Sequence, residues 1–409
     1  MTRAFPEGFL WGTASAAHQV EGGNRNNDWW KWEQTPGHIA NGDTSAVACD
    51  HYHRYREDFA LLRELNQNAH RLSIEWSRIE PSEGVFDSEQ IRHYRDVLAA
   101  LREQGIMPMV TLHHFTSPLW FARKGGWAAR ESYRAFIPFV NRVVDELGDL
   151  AGMWCTINEP SIYSANGWIT GEFPPGNKGD LLGQYRVTRS MHLAHEHSYR
   201  AIKRRRPDTP VGLSHHKFLF LPASHRRRDK IAAGITQQFT DRWPPTGIGL
   251  PSRIVEATSD FIGIAHYWGQ MAQFSRQPGD LFVRRFNPPG DPVTEIGFVS
   301  RSGWMRQVLN SLKRFGKPVY VTENGISTSD EAWRERYLTE TLGNVHAAIQ
   351  DGVHVRGYFH WTNTDNFEWA RGYTAHFGLI AVDRQTLERT VKPSGWVYAR
   401  IAAANALPA

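Results

Sequence analysis

The chain has 409 residues, 41% hydrophobic and 22% charged, and 47 Lys and Arg against 42 Asp and Glu give a formal net charge of +5. That balance excludes a disordered chain, a collagen-like chain and a coiled coil, and no run approaches the roughly 20 apolar residues of a membrane helix. Two cysteines, Cys49 and Cys155, are too few for a disulfide framework or a cysteine-based zinc site.

The opening MTRAFPEGFLWG has no apolar signal core, so a cytoplasmic address is expected. From there, short apolar runs alternate with longer amphipathic stretches. The runs are 9–14 (FLWGTA), 69–75 (AHRLSIE), 106–113 (IMPMVTLH), 152–158 (GMWCTIN), 211–216 (VGLSHH), 260–267 (DFIGIAHY), 318–323 (PVYVTE) and 354–361 (HVRGYFHW). Helical patterns fall at 54–65, 88–104, 130–147, 184–206, 301–315 and 330–350, and a last one at 393–405. Such alternation reads as βαβ units around a buried parallel sheet. Eight strands with following helices predict an α/β chain folded as a (β/α)8 barrel. No repeat, linker or composition shift marks a boundary, so residues 1–409 are expected to form one domain. The least regular part is 218–259, which is basic and rich in Gly and Pro (RWPPTGIGLP). It offers only one modest helical stretch, about 229–241.

Polar residues crowd at the C-terminal ends of the predicted strands: Arg71, His113, His114, Asn158, Glu159, Tyr267, Glu323 and Trp361. Barrels of this kind build their active sites there. Two carboxylates stand out, Glu159 in TINEP after strand four and Glu323 in VTENG after strand seven. A Glu at the end of an apolar strand is costly to bury without a purpose. A carboxylate pair suits glycoside hydrolysis, one residue as acid and base, the other as nucleophile or base. The 16 Trp fit the same chemistry, because an indole face stacks on a pyranose. Trp120, Trp168, Trp361 and Trp369 fall in loops or strand ends of the predicted top face.

Other readings are weaker. His113–His114, His215–His216, and His192, His195 and His197 offer nitrogen ligands. The last three do not share one helix face, and no HExxH occurs. GxGxxG and P-loop patterns are absent. Two basic clusters, 203–206 and 226–228, suggest a polyanion patch, but no nucleic-acid module accompanies them. Their plainer reading is a solvated helix end and a surface loop.

The motifs FLWGTASAAHQVEG, HRLSIEWSRIEP, TLHHF, TINEP, YVTENG and NFEW, in that order, and the closing HFGLIAVDRQTLERTVKPSGWVY resemble glycoside hydrolase family 1, the retaining β-glucosidase family. The resemblance implies a single catalytic barrel without cofactor or metal, acting on a small β-glycoside rather than on nucleic acid or at a membrane. By its motifs, Glu159 is the acid/base, Glu323 the nucleophile, and Arg71 and Tyr267 the groups that hold Glu323 ionised. Asn158 contacts the sugar 2-hydroxyl. Gln19, His114, Glu368 and Trp369 contact the outer hydroxyls, and Trp361 lies beneath the ring. A charged Glu368 would repel a 6-phosphate. With Glu323 ionised, the proton of the pair is expected on Glu159.

Three departures from the family pattern follow. The region before strand six is short, with WPPTGIG where a Gly-Asp-Tyr-Pro-like motif is usual, which predicts a trimmed wall and a more open aglycone side. Ala265 and His266 replace an Asn and a Tyr after strand six. His376 stands at a position where Arg or Lys is common. β-Glucosidase is the leading expectation. The alternatives are a β-galactosidase, a β-fucosidase, a transglycosylase or a non-catalytic sugar-binding barrel.

Overall fold

The structure is a computed structural model that describes residues 3–242, 256–277, 280 and 282–408. Eight strands close into a parallel barrel: β1 (Leu10–Ala14), β2 (Ala69–Ser73), β3 (Met107–Thr111), β4 (Met153–Asn158), β5 (Val211–His216), β6 (Phe261–Ala265), β7 (Val319–Asn324) and β8 (Val355–Trp361). The ring closes where β8 meets β1, with Tyr358 opposite Trp11. No strand limit differs by more than two residues from the sequence expectation. Nearly every strand residue is buried, which is why the strands read as near-continuous apolar runs. Gly12 marks the tightest passage. A Cβ there would lie 2.6 Å from the Ala69 carbonyl oxygen and 2.7 Å from the Phe359 ring.

Helices α1 (His51–Glu64), α2 (Ser88–Glu103), α3 (Tyr133–Leu147), α4 (Leu181–Arg205), α5 (Arg227–Arg242), α6 (Trp304–Asn310), α7 (Glu331–Gln350) and α8 (Pro393–Ala404) follow the strands in turn. Their starts are legible in side chains. Asp87 accepts from the Glu89 and Gln90 amides at the head of α2, and Asp330 accepts from Trp333 at the head of α7. Ile91, Tyr94, Leu98 and Leu101 then form the buried stripe of α2, at the spacing that keeps one helix face toward a core. The predicted helix 301–315 is shorter than expected. It ends at Asn310, where the Ser311 hydroxyl bonds the Val308 carbonyl at 2.7 Å, and one further turn follows at Lys313–Phe315.

A small three-stranded sheet that the sequence reading did not anticipate stands beside the barrel. Leu219–Pro222 pairs parallel with Gly269–Phe274, which pairs antiparallel with Val283–Phe286. Helix α5 packs on this sheet, with Ala233 against Phe220 and Ala272. The WPPTGIG stretch, and with it the shortening before β6, lies outside the described residues.

Five Trp (Trp11, Trp29, Trp76, Trp127 and Trp154) are fully buried core residues. Cys49 and Cys155 are buried free thiols. Among the described residues no helix is long and apolar enough to cross a membrane, and no three His, Cys, Asp or Glu gather to hold a metal ion. The first basic cluster ends α4, where cations complement the carbonyl end of a helix. There Lys203 pairs with Asp260 and Arg205 with Asp145, each at 2.7 Å.

Candidate active site

In TINEP the strand, the functional residue and the next helix are consecutive. Asn158 closes β4, and Pro160 opens the short helix Pro160–Ala165. Glu159 sits between them at φ 40°, ψ 62°, a left-handed conformation that costs a non-glycine residue about 1–3 kcal/mol. Phe115 and Trp369, also in the cavity wall, have φ of 69° and 50°. The backbone is thus strained where side chains must be aimed at one point. Glu159 is only 5% exposed. Its Oε1 lies 2.8 Å from His216 Nδ1 at the end of β5.

Glu323, on β7, is 3% exposed and meets two donors. The Arg71 guanidinium binds Oε1, and the Tyr267 hydroxyl donates to Oε2 at 2.7 Å. Arg71 is itself fully buried and spends its remaining donors on the Asn158 side-chain oxygen (2.6 Å) and the Thr111 hydroxyl (3.1 Å). A buried charge so completely bonded is fixed in place. Burial and the charge of Glu159 push the Glu323 carboxyl up to about 7, against the pull of Arg71 and Tyr267. Burial beside Glu323 keeps the Tyr267 hydroxyl protonated well above the ordinary tyrosine range.

The Arg71–Asn158 bond orients the next groups. Because Arg71 only donates, the Asn158 oxygen faces it and the amide nitrogen faces His114 Nε2 at 3.1 Å. That ring nitrogen therefore accepts, and the proton of the neutral ring sits on Nδ1. Burial and the Arg71 charge hold His114 neutral, well below the ordinary histidine range. Nδ1 is buried with no partner among the described residues, a donor left for a ligand. His114 stacks on Trp361 (centroids 5.7 Å apart) and on Trp369 (6.1 Å). Gln19 donates through its amide to Glu368 Oε2 and the Phe367 carbonyl, at 3.1 and 3.0 Å, while its own Oε1 has no partner among the described residues. Burial pushes Glu368 up to about 8, so at neutral pH it is the acid, able to donate to and accept from a diol.

These groups surround one cavity of about 360 Å³. His114, Glu159, Tyr267, Glu323, Trp361, Glu368 and Trp369 line it directly, and Arg71, Asn158 and Gln19 stand behind them. Trp120 and Trp168 lie in the loops after β3 and β4, as expected for the top face, but neither lines the cavity. Trp120 packs against Trp76 and donates to the Glu80 carbonyl at 2.9 Å, and Trp168 packs on Tyr163. Three further histidines have structural partners. His113 accepts from the Trp127 indole, His195 bonds Thr156 and Ser259, and His197 lies on Tyr133. The sequence reading missed two features. His216 was weighed only as a metal ligand, and the outer wall of Phe218, Trp268, Ile296 and Phe298 was not named. In that wall Trp268 stacks on Phe298 at 4.5 Å. The place of His216 at the inward end of β5, next to the strand that carries Glu159, was the available signal.

The model of glycosyl hydrolase family 1 matches residues 1–246 and 251–407. This chain belongs to that family. It is 32% identical to β-glucosidase A of Thermotoga maritima, over 99% of each chain. The 1,4-β-D-glucan glucohydrolase of Thermotoga neapolitana is equally similar, at 32% over 99% of each. The solved structure of the Thermotoga maritima family 1 β-glucosidase with isofagomine lactam superposes with a TM-score of 0.91 at 31% identity, covering 100% of both chains.

Two of the departures from the family 1 pattern now have a place. Ala265 is fully buried opposite Glu323 in the β6–β7 register. His266 turns its ring to the Lys217 carbonyl, at 2.7 Å, and its amide donates to the Glu323 carbonyl at 3.1 Å. Among the described residues it braces the strand ends and does not bond either carboxyl. His376 pairs with Glu295 at 3.1 Å, which raises the imidazole above its ordinary range.

Proposed function

We propose that this family 1 glycoside hydrolase is a retaining exo-β-glucosidase, with residues 1–409 acting as one catalytic unit. What carries the reading is the unequal pair in a single cavity. Glu323 is bonded on both oxygens by Arg71 and Tyr267, while among the described residues Glu159 meets only His216. Glu323 attacks the anomeric carbon as Glu159 gives its proton to the departing glycosidic oxygen. The glycosyl–Glu323 ester carries no charge, so Glu159, now a carboxylate, accepts a proton from water, which releases the sugar with its β configuration restored. His114, Asn158, Gln19 and Glu368 supply the donors and acceptors of the nonreducing sugar, with Trp361 beneath it. The names of the similar enzymes favour glucose as that sugar.

The test is turnover of nitrophenyl β-glucoside, β-galactoside and β-fucoside by the native chain and by Glu323→Ala, with and without azide. The expected result is fastest cleavage of the glucoside, a dead variant, and recovery with azide to give the α-glucosyl azide. A native chain that cleaves none of the three would overturn the reading in favour of a sugar-binding barrel.

A further inference from the structure

We propose that His216 is a positioning residue that decides which oxygen of Glu159 carries the working proton; this rests on the acid/base reading of Glu159. His216 Nδ1 lies 2.8 Å from Glu159 Oε1, with the two side chains only 4% and 6% exposed. The ring is held from both sides. It stacks on Tyr267 with centroids 6.1 Å apart and planes at 17°, and it leans on Phe218 at 4.5 Å. Its other nitrogen, Nε2, is buried and has no partner among the described residues.

A ring proton on Nδ1 and one on Nε2 differ in what they meet. On Nε2 the proton would meet no acceptor among the described residues, whereas on Nδ1 it meets Glu159 Oε1, so Nδ1 is where it belongs. The Nδ1–H···Oε1 bond survives both states of the carboxyl, because Oε1 accepts equally as the carbonyl oxygen of the acid and as part of the carboxylate. The hydrogen of the acid is thereby left to Oε2. His216 thus fixes the rotation of the carboxyl and reserves one oxygen for proton traffic with the leaving group and then with water. It touches no reacting atom itself. The histidine replaces no other bond to Glu159 among the described residues, so the aim of this carboxyl depends on it.

The experiment reads kcat/KM of the native enzyme, His216→Phe, His216→Asn and Glu159→Gln on two substrates. Phenyl β-glucoside has a leaving group that needs a proton, and 2,4-dinitrophenyl β-glucoside has one that does not. Phe keeps the ring contacts and removes the hydrogen bond. Its kcat/KM should fall roughly 10- to 100-fold on the phenyl glucoside, within the worth of general acid catalysis, and stay near native on the dinitrophenyl glucoside. Asn restores a donor and should recover most of the loss. Should the Phe variant not fold, His216→Ala is read for the same split. Equal losses on both substrates, or none on either, overturn the proposal. Glu159→Gln separates the two layers. If it shows the split and the His216 variants do not, only the His216 proposal falls. If it shows no split, the acid/base assignment falls and takes the proposal with it.

Discussion

Both oxygens of Glu323 receive hydrogen bonds, one from the Arg71 guanidinium and one from the Tyr267 hydroxyl at 2.7 Å, whereas Glu159 has a single partner among the described residues, the His216 imidazole at 2.8 Å. The first arrangement pins a negative charge in one orientation, as an attacking group requires. The second leaves one oxygen unengaged, as a group that gains and loses a proton in every cycle requires. The two glutamates have the same chemistry and share one cavity. Their difference comes from what the neighbouring strands deliver: an Arg from β2 and a Tyr after β6 on one side, a His from β5 on the other.

The severest way to break this contrast is to remove the pinned carboxylate. Glu323→Gln should lower kcat by roughly four to six orders of magnitude, as removal of a nucleophile or its base does elsewhere. Steady-state rates on nitrophenyl glucoside check it.

Arg71→Met leaves Glu323 buried without its cation. Urea unfolding should show a loss of about 3–5 kcal/mol, the usual cost of breaking a buried pair. Arg71 lowers the Glu323 pKa, so the acidic limb of residual activity should move to higher pH.

The native pH dependence sharpens the same comparison. Glu323 and Glu368 titrate at about 7 and about 8, above the 4.5 of a free glutamate, because burial favours their neutral forms. A carboxyl raised on folding stabilises the protein fully below its unfolded pKa, and the contribution is lost as pH rises through the folded value. Unfolding free energy should therefore decline from about pH 5 to about pH 8, as the cited values require. The decline should be flatter in Glu323→Gln/Glu368→Gln. The kcat/KM of the native enzyme should rise with pH through about 7, as Glu323 becomes the carboxylate that attacks.

The smallest effect concerns the sugar and leaving-group walls. Glu368→Gln keeps a donor and an acceptor and should cost roughly three- to tenfold in kcat/KM, the worth of about one hydrogen bond. Trp268→Ala should raise KM for aryl glucosides with kcat little changed, since it removes contact but no charge.

Much of this was legible in the residues. The barrel strands are short apolar runs bounded by polar ends, and that pattern survives any neighbour. Glu159 and Glu323 were found because a carboxylate ending such a run has no packing reason to be there. The side sheet was not found. Leu219–Pro222 and Gly269–Phe274 begin within a few residues of β5 and β6, and only Gly269 itself marks a break between them. Trp120 and Trp168 sit in top-face loops yet pack into the core, because an indole in a loop serves a core as readily as a cavity, and only the fold decides which. His216 shows the same limit: a His pair at a strand end has no assigned partner until the adjoining strand is in register.

The most direct measurement of the central claim is covalent trapping. The enzyme is incubated with 2,4-dinitrophenyl 2-deoxy-2-fluoro-β-glucoside, digested and mapped by mass spectrometry. The account predicts one fluoroglucosyl group on the peptide that contains VTENG, with fragmentation placing it on Glu323. A label on Glu159, or inhibition without any adduct, would contradict it.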